Sequence, residues 1–117
     1  MHCKLKTMDI ENSKAQMRKG VLEFCILSIL SRGEKYASTI LEELKDAQLL
    51  VVEGTIYPLL TRLKNEGLLI YRWEESSSGP PRKYFTLTES GFSFLKELTL
   101  AYQTQSKAVE KLINQNL

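Results

Sequence analysis

Between residues 53 and 69 the apolar positions recur with helical spacing, and polar residues fill the gaps. Ile56, Leu59, Leu60 and Leu63 stand at i, i+3, i+4 and i+7, forming one stripe that must be buried. The rest of that helix carries Thr55, Tyr57, Thr61, Arg62, Lys64 and Asn65, the hydrogen-bonding and cationic side chains that contact base edges and phosphates. The same polar face would also suit the solvated side of an ordinary core helix. Thr55 as N-cap would put Pro58 in the first turn, where its missing N–H has no partner to lose. Gly67 stops the helix, and a run of strand character follows at Leu68.

Upstream, the pattern predicts a short amphipathic helix from about Ile10 to Lys19, with Ile10 and Met17 on one face and Gly20 at its end. Leu22, Cys25, Ile26, Ile29 and Leu30 keep helical spacing. Val21, Phe24 and Leu27 make the opposite side apolar too, so this second helix should be the most buried before Gly33 closes it. A further helix is expected over Tyr36 to Ala47, with Ala37, Ile40, Leu41 and Leu44 inward, then a single strand over Leu49 to Val52.

Downstream, Leu68 to Glu74 alternates Leu69, Tyr71 and Trp73 against Ile70, Arg72 and Glu74. Arg82 to Thr88 alternates in the same way, and Glu75 to Pro81 between them has turn composition. This is a hairpin with a serine-rich tip and cationic shoulders, Arg82 and Lys83, although such cations also serve to blunt a strand edge. Thr88 can cap a last helix running from about Glu89 to Ile113. Along it Leu95, Leu98, Tyr102, Gln105, Val109 and Leu112 alternate spacings of three and four, the seam of a coiled coil. So long a helix at the end of a small domain needs a partner chain.

The order helix, helix, polar-faced helix, hairpin is that of a winged helix-turn-helix. The expected fold class is mainly α with a small β-hairpin: an N-terminal arm and helix (1–20), a winged helix-turn-helix (21–88) and a long C-terminal dimerisation helix (89–117). Cations on two elements, Arg62 and Lys64 on the helix and Arg72, Arg82 and Lys83 on the hairpin, could share one phosphate path on double-stranded DNA.

Composition changes this picture little. At 117 residues the chain is one domain, and 43% hydrophobic with 26% charged residues is ordinary for a globular protein. The net charge of +2 puts the weight on where the charges lie. Cys3 and Cys25 are too few for a zinc site or disulfide framework, Cys25 fits a core position, and Cys3 beside the single histidine, His2, is a weak metal signal. No metal, cofactor, catalytic constellation or membrane partner is expected. The adjacent carboxylates Glu42-Glu43 and Glu74-Glu75 point apart, and no phosphate-binding glycine motif occurs. The chain is expected to be a cytoplasmic non-enzyme, and Met8 could start it as well as Met1. The competing expectation is a winged-helix protein-interaction module without specific DNA binding.

At Glu53-Gly54-Thr55-Ile56-Tyr57-Pro58, Arg62-Leu63 and Glu66-Gly67-Leu68-Leu69 the chain closely resembles the PadR family of bacterial transcriptional regulators. The hairpin block Gly79-Pro80-Pro81-Arg82-Lys83-Tyr84-Phe85, followed by Leu87-Thr88 and Gly91, matches as well. The resemblance covers roughly Val21 to Gly91, and the single long C-terminal helix is similar to the family's short-tailed branch. It implies a homodimeric repressor on a pseudo-palindromic operator, with Thr55, Tyr57, Thr61, Arg62, Lys64 and Asn65 facing DNA and Arg82 and Lys83 on the wing. Ile10, Met17, Leu95, Leu98, Tyr102, Val109 and Leu112 would form the dimer interface. Pro80 departs from the basic or glycine residue common there, which implies fewer and stiffer wing contacts. The branch further implies a small aromatic or hydrophobic effector at Tyr102 and Gln105. Tyr102 serves equally as a packing residue, and Gln105 as a register-setting hydrogen bond.

Overall fold

The computed structural model describes residues 9–115; the His2-Cys3 pair and the alternative start at Met8 lie outside them. The elements are α1 (Ile10–Leu30), β1 (Lys35–Tyr36), α2 (Ala37–Asp46), α3 (Glu53–Asn65), β2 (Leu69–Ser76), β3 (Gly79–Leu87) and α4 (Glu89–Asn114). Helical stripes and the inner sheet face meet in one core: Ile26, Leu27 and Leu30 of α1, Ile40 and Leu44 of α2, Ile56, Leu60 and Leu63 of α3, and Leu69, Phe85 and Leu87 of the sheet. The stripe expected on α3 is thus the face it buries, with Leu59 at its half-buried edge.

Four local expectations are corrected. The two N-terminal helices are one, because α1 runs through Gly20. A helical glycine costs only about 1 kcal/mol relative to alanine, too little to end a helix anchored by Leu22, Ile26, Leu27, Ile29 and Leu30. Residues 49–52 form no strand. Their alternation instead lets Leu49 and Val51 pack on the core while Leu50 and Val52 stay exposed.

The N-cap of α3 is Val52, not Thr55, whose N–H already donates to the Val52 carbonyl at 2.9 Å within the first turn. Pro58 therefore stands in the second turn, where it removes the donor that the Gly54 carbonyl would otherwise receive. Gly54 is exposed, and that limits the cost. Finally, the hairpin strands reach almost to the tip, leaving only residues 77–78 as the turn.

The sheet is three-stranded and antiparallel, in the order β1-β3-β2, with Lys35 and Tyr36 of β1 opposite Phe85 and Tyr84. Register in the hairpin shifts between Glu74↔Arg82 and Ser76↔Gly79, so Glu75 opposes both Pro80 and Pro81. A bulge suits two residues that have no N–H to give a ladder. Thr88 caps α4 as expected: its Oγ1 accepts from the Gly91 N–H at 3.0 Å and donates to the Gly67 carbonyl at 2.7 Å. That second bond ties the end of α3 to the start of α4.

Candidate nucleic-acid interface

Helix α3 presents Tyr57, Thr61 and Lys64 toward the hairpin. Together with Trp73 of β2 and Arg82 and Lys83 of β3, they line a cleft of about 490 Å³. Strand alternation sends the two hairpin cations to opposite faces of the sheet. Lys83 lies on the face shared with Phe85 and Leu87, its ammonium 4.4 Å from the Tyr71 ring centre and 5.4 Å from that of Trp73. Arg82 lies on the other face, over the Tyr36 ring at 5.3 Å. Both nonetheless border the cleft. Lys64 approaches Tyr71 from the helix side, at 5.6 Å. Three cations thus converge on one concave surface that no carboxylate among the described residues lines.

The remaining expected contacts stand elsewhere. Thr55 and Asn65 are exposed on α3 but outside the cleft lining. Arg62 is two positions from Lys64, about 160° away around the helix once the 100° step per residue is counted. It turns to α1, paired with Glu23, with Glu66 at 3.9 Å. Arg72, the further hairpin cation, is held by carboxylates. Its Nε and Nη2 donate to Glu34 at 3.0 and 3.1 Å, Nη1 donates to Glu74, and its guanidinium lies 4.8 Å from the Tyr84 ring centre. The hydrogen bond from Arg72 holds Glu34 below the usual carboxylate range, and the reciprocal bonds to Glu34 and Glu74 raise Arg72.

Tyr84 stacks on Tyr36 with centroids 4.3 Å apart and planes 5° from parallel. An unbroken stack of Arg72, Tyr84, Tyr36 and Arg82 therefore fixes the hairpin against the start of α2. Tyr36, Ser38, Tyr71 and Trp73 belong to the cleft, although the sequence had not marked them as site residues. The alternation that placed Tyr71 and Trp73 on the Leu69 face was the available signal for the latter pair. Ser38 is visible only once the start of α2 is seen beside the hairpin.

On the far side, Ile10, Met17, Val109 and Leu112 are exposed, Met17 at 76% and Leu112 at 63%. Leu95 and Leu98 are half-buried against the core of their own chain. Tyr102 meets Phe24 at 5.3 Å between centroids, beside a hollow of about 240 Å³ that Gln105, Glu23 and Glu66 also line. No group of three or more metal-ligating side chains occurs among the described residues, and no helix of the structure is long and apolar enough to cross a membrane.

Residues 26–97 match the model of the transcriptional regulator PadR-like family. The chain is similar to a PadR-like transcription factor from Bacteroides fragilis, with 54% identity, a TM-score of 0.73, and coverage of 86% of this chain and 98% of that one. A PadR family transcriptional regulator from Eggerthella lenta is 32% identical with a TM-score of 0.81, over 93% of this chain and 96% of that one. Bacillus subtilis PadR, solved in complex with operator DNA, is 30% identical with a TM-score of 0.64, over 68% of this chain and 46% of that one. A winged helix with a cationic cleft between its third helix and its hairpin, matched by this family over most of its length, belongs to the PadR-like family of transcriptional regulators.

Proposed function

We propose that the protein is a homodimeric repressor that binds a pseudo-palindromic operator in double-stranded DNA. The observation that carries this reading is the carboxylate-free cleft lined by Lys64 of α3 and by Lys83 and Arg82 of the hairpin. A groove with cations on both walls suits one phosphate backbone, leaving Tyr57 and Thr61 of α3 toward the bases. Thr55 and Asn65 flank that surface on the same helix. Arg62 reaches DNA only if its pair with Glu23 opens. Support also comes from B. subtilis PadR, a relative of the same fold solved on its operator.

Two-fold pairing would cover the exposed apolar ends of α1 and α4, Ile10 and Met17 with Val109 and Leu112, and would extend the line begun by Leu95, Leu98 and Tyr102. It sets the two α3 helices about one helical turn of DNA, or a multiple of it, apart. The hollow at Tyr102 and Gln105 is the place for a small aromatic or hydrophobic effector that relieves repression. Fluorescence titration with planar aromatic compounds, with Tyr102→Ala as control, tests that part, and absent or unchanged binding removes it.

The main test is fluorescence-anisotropy binding to the duplex upstream of the protein's own gene, across a salt series and against an unrelated duplex. Preferential binding that weakens steeply with salt supports the repressor reading. No binding to either duplex at low salt overturns it in favour of a protein-interaction module. Sedimentation of the free protein at micromolar concentration as a monomer would remove the homodimer.

A further inference from the structure

The core-facing side of the hairpin continues past the core. Leu69 with Leu87, Tyr71 with Phe85, and Trp73 with Lys83 are successive cross-strand pairs on that side. Leu69, Leu87 and Phe85 are buried, Tyr71 is half-buried, and Trp73 is 60% exposed. The face thus leaves the shelter of α3 with an indole at its end, overhanging the cleft opposite Tyr57, Thr61 and Lys64.

Two neighbours touch this indole. Tyr71 meets it edge-on, at 6.0 Å and 87°, and the Lys83 ammonium stands 5.4 Å from its centre. An exposed aromatic surface of this size is the amphipathic contact that recognition interfaces concentrate. The occupant follows from the surrounding charge. Lys64, Arg82 and Lys83 border the same cleft and no carboxylate among the described residues does, while the indole N–H donates and cannot accept. A polyanion with apolar sugar faces between its charges fits that surface.

We propose that Trp73 is a DNA-contacting residue of the wing, packing its indole against the deoxyribose of the strand whose phosphates Lys83 and Lys64 neutralise. This rests on the DNA-binding reading above and adds an apolar contact to its electrostatic ones. Such a contact releases no counterions, so it contributes affinity without contributing to the salt slope.

Trp73 is the only tryptophan of the chain, so its emission reports this contact directly. Emission and acrylamide quenching are recorded on the intact protein while anisotropy of a labelled upstream duplex follows binding in the same titration. The expected result is an emission change and protection from acrylamide that saturate with the anisotropy. Trp73→Ala should weaken binding about tenfold at unchanged salt slope, and Lys83→Ala should lower the slope by about one unit. Unchanged emission and quenching at saturating DNA would overturn the contact while leaving the DNA-binding reading intact. Emission that follows protein concentration without DNA would assign Trp73 to a second copy and overturn it as well. No anisotropy rise at low salt would remove the DNA-binding reading and this contact together.

Discussion

The guanidinium of Arg62 on α3 is paired with the carboxylate of Glu23 on α1, joining the DNA-facing helix of the proposed interface to the helix that carries the exposed Ile10 and Met17. Glu23 Oε2 is shielded from solvent and makes no well-formed hydrogen bond, which leaves Arg62 as its counter-charge. Arg62 is thereby a brace for α3 in this structure, on the flank away from the cleft.

Arg62→Ala should therefore act on stability before it acts on phosphate contact. The expected loss is roughly 1 kcal/mol, since a partly exposed pair gives little but its removal strands a shielded carboxylate. Its salt slope for DNA should equal that of the wild type, whereas Lys64→Ala should lower the slope by about one unit. Urea denaturation and anisotropy over a salt series measure the two effects. A lowered slope for Arg62→Ala would mean that the pair with Glu23 opens on DNA.

At the start of α4 the backbone passes so close to the residue preceding β2 that a Cβ on Gly91 would lie 2.1 Å from the Leu68 carbonyl oxygen. Gly91→Ala should destabilise the fold by about 3 kcal/mol through backbone displacement. Helix propensity alone would favour the same change by about 1 kcal/mol. The sign of the shift in a denaturant midpoint decides between packing and propensity.

Gln48 follows the C-cap of α2 with φ of 67°, a left-handed conformation that suits glycine. Its exposed side chain makes no hydrogen bond among those found in the described residues. Gln48→Gly should stabilise the protein by about 1 kcal/mol, read as a rise in thermal midpoint. A fall would show that the greater freedom of glycine in the unfolded chain outweighs the relief of strain.

Glu34 contributes a pH dependence. Its folded pKa is depressed by Arg72, so its share of stability is present above the ordinary carboxylate value and is lost as pH falls through the folded value. The window therefore opens below about pH 4.5. Thermal midpoints from pH 6 down to about pH 3 should fall less steeply for Glu34→Gln than for the wild type. Parallel curves would show that the pair with Arg72 does not persist in solution.

The sequence by itself determined the inward faces of α2 and α3, the hairpin and the cap at Thr88, along with the membership that the motif around Glu53 to Leu69 suggested. Those are properties of residues a few positions apart, where the rotation per residue decides which side chains share a face. It placed Lys64, Tyr57 and Thr61 on a polar surface for the same reason. It went astray at Gly20 and Thr55, where the local signal for ending or starting a helix is weaker than the packing of the residues around it.

Only the tertiary structure decided which cations are free. Arg62, Arg72 and Lys83 look alike as neighbours of turns and apolar runs. Arg72 is tied to Glu34 across 38 positions of chain and Arg62 to a carboxylate on α1, while Lys83 turns toward aromatic rings in the cleft. The reach of a long charged side chain is set by whichever element the fold brings beside it, and that neighbour is not encoded in its own stretch of sequence.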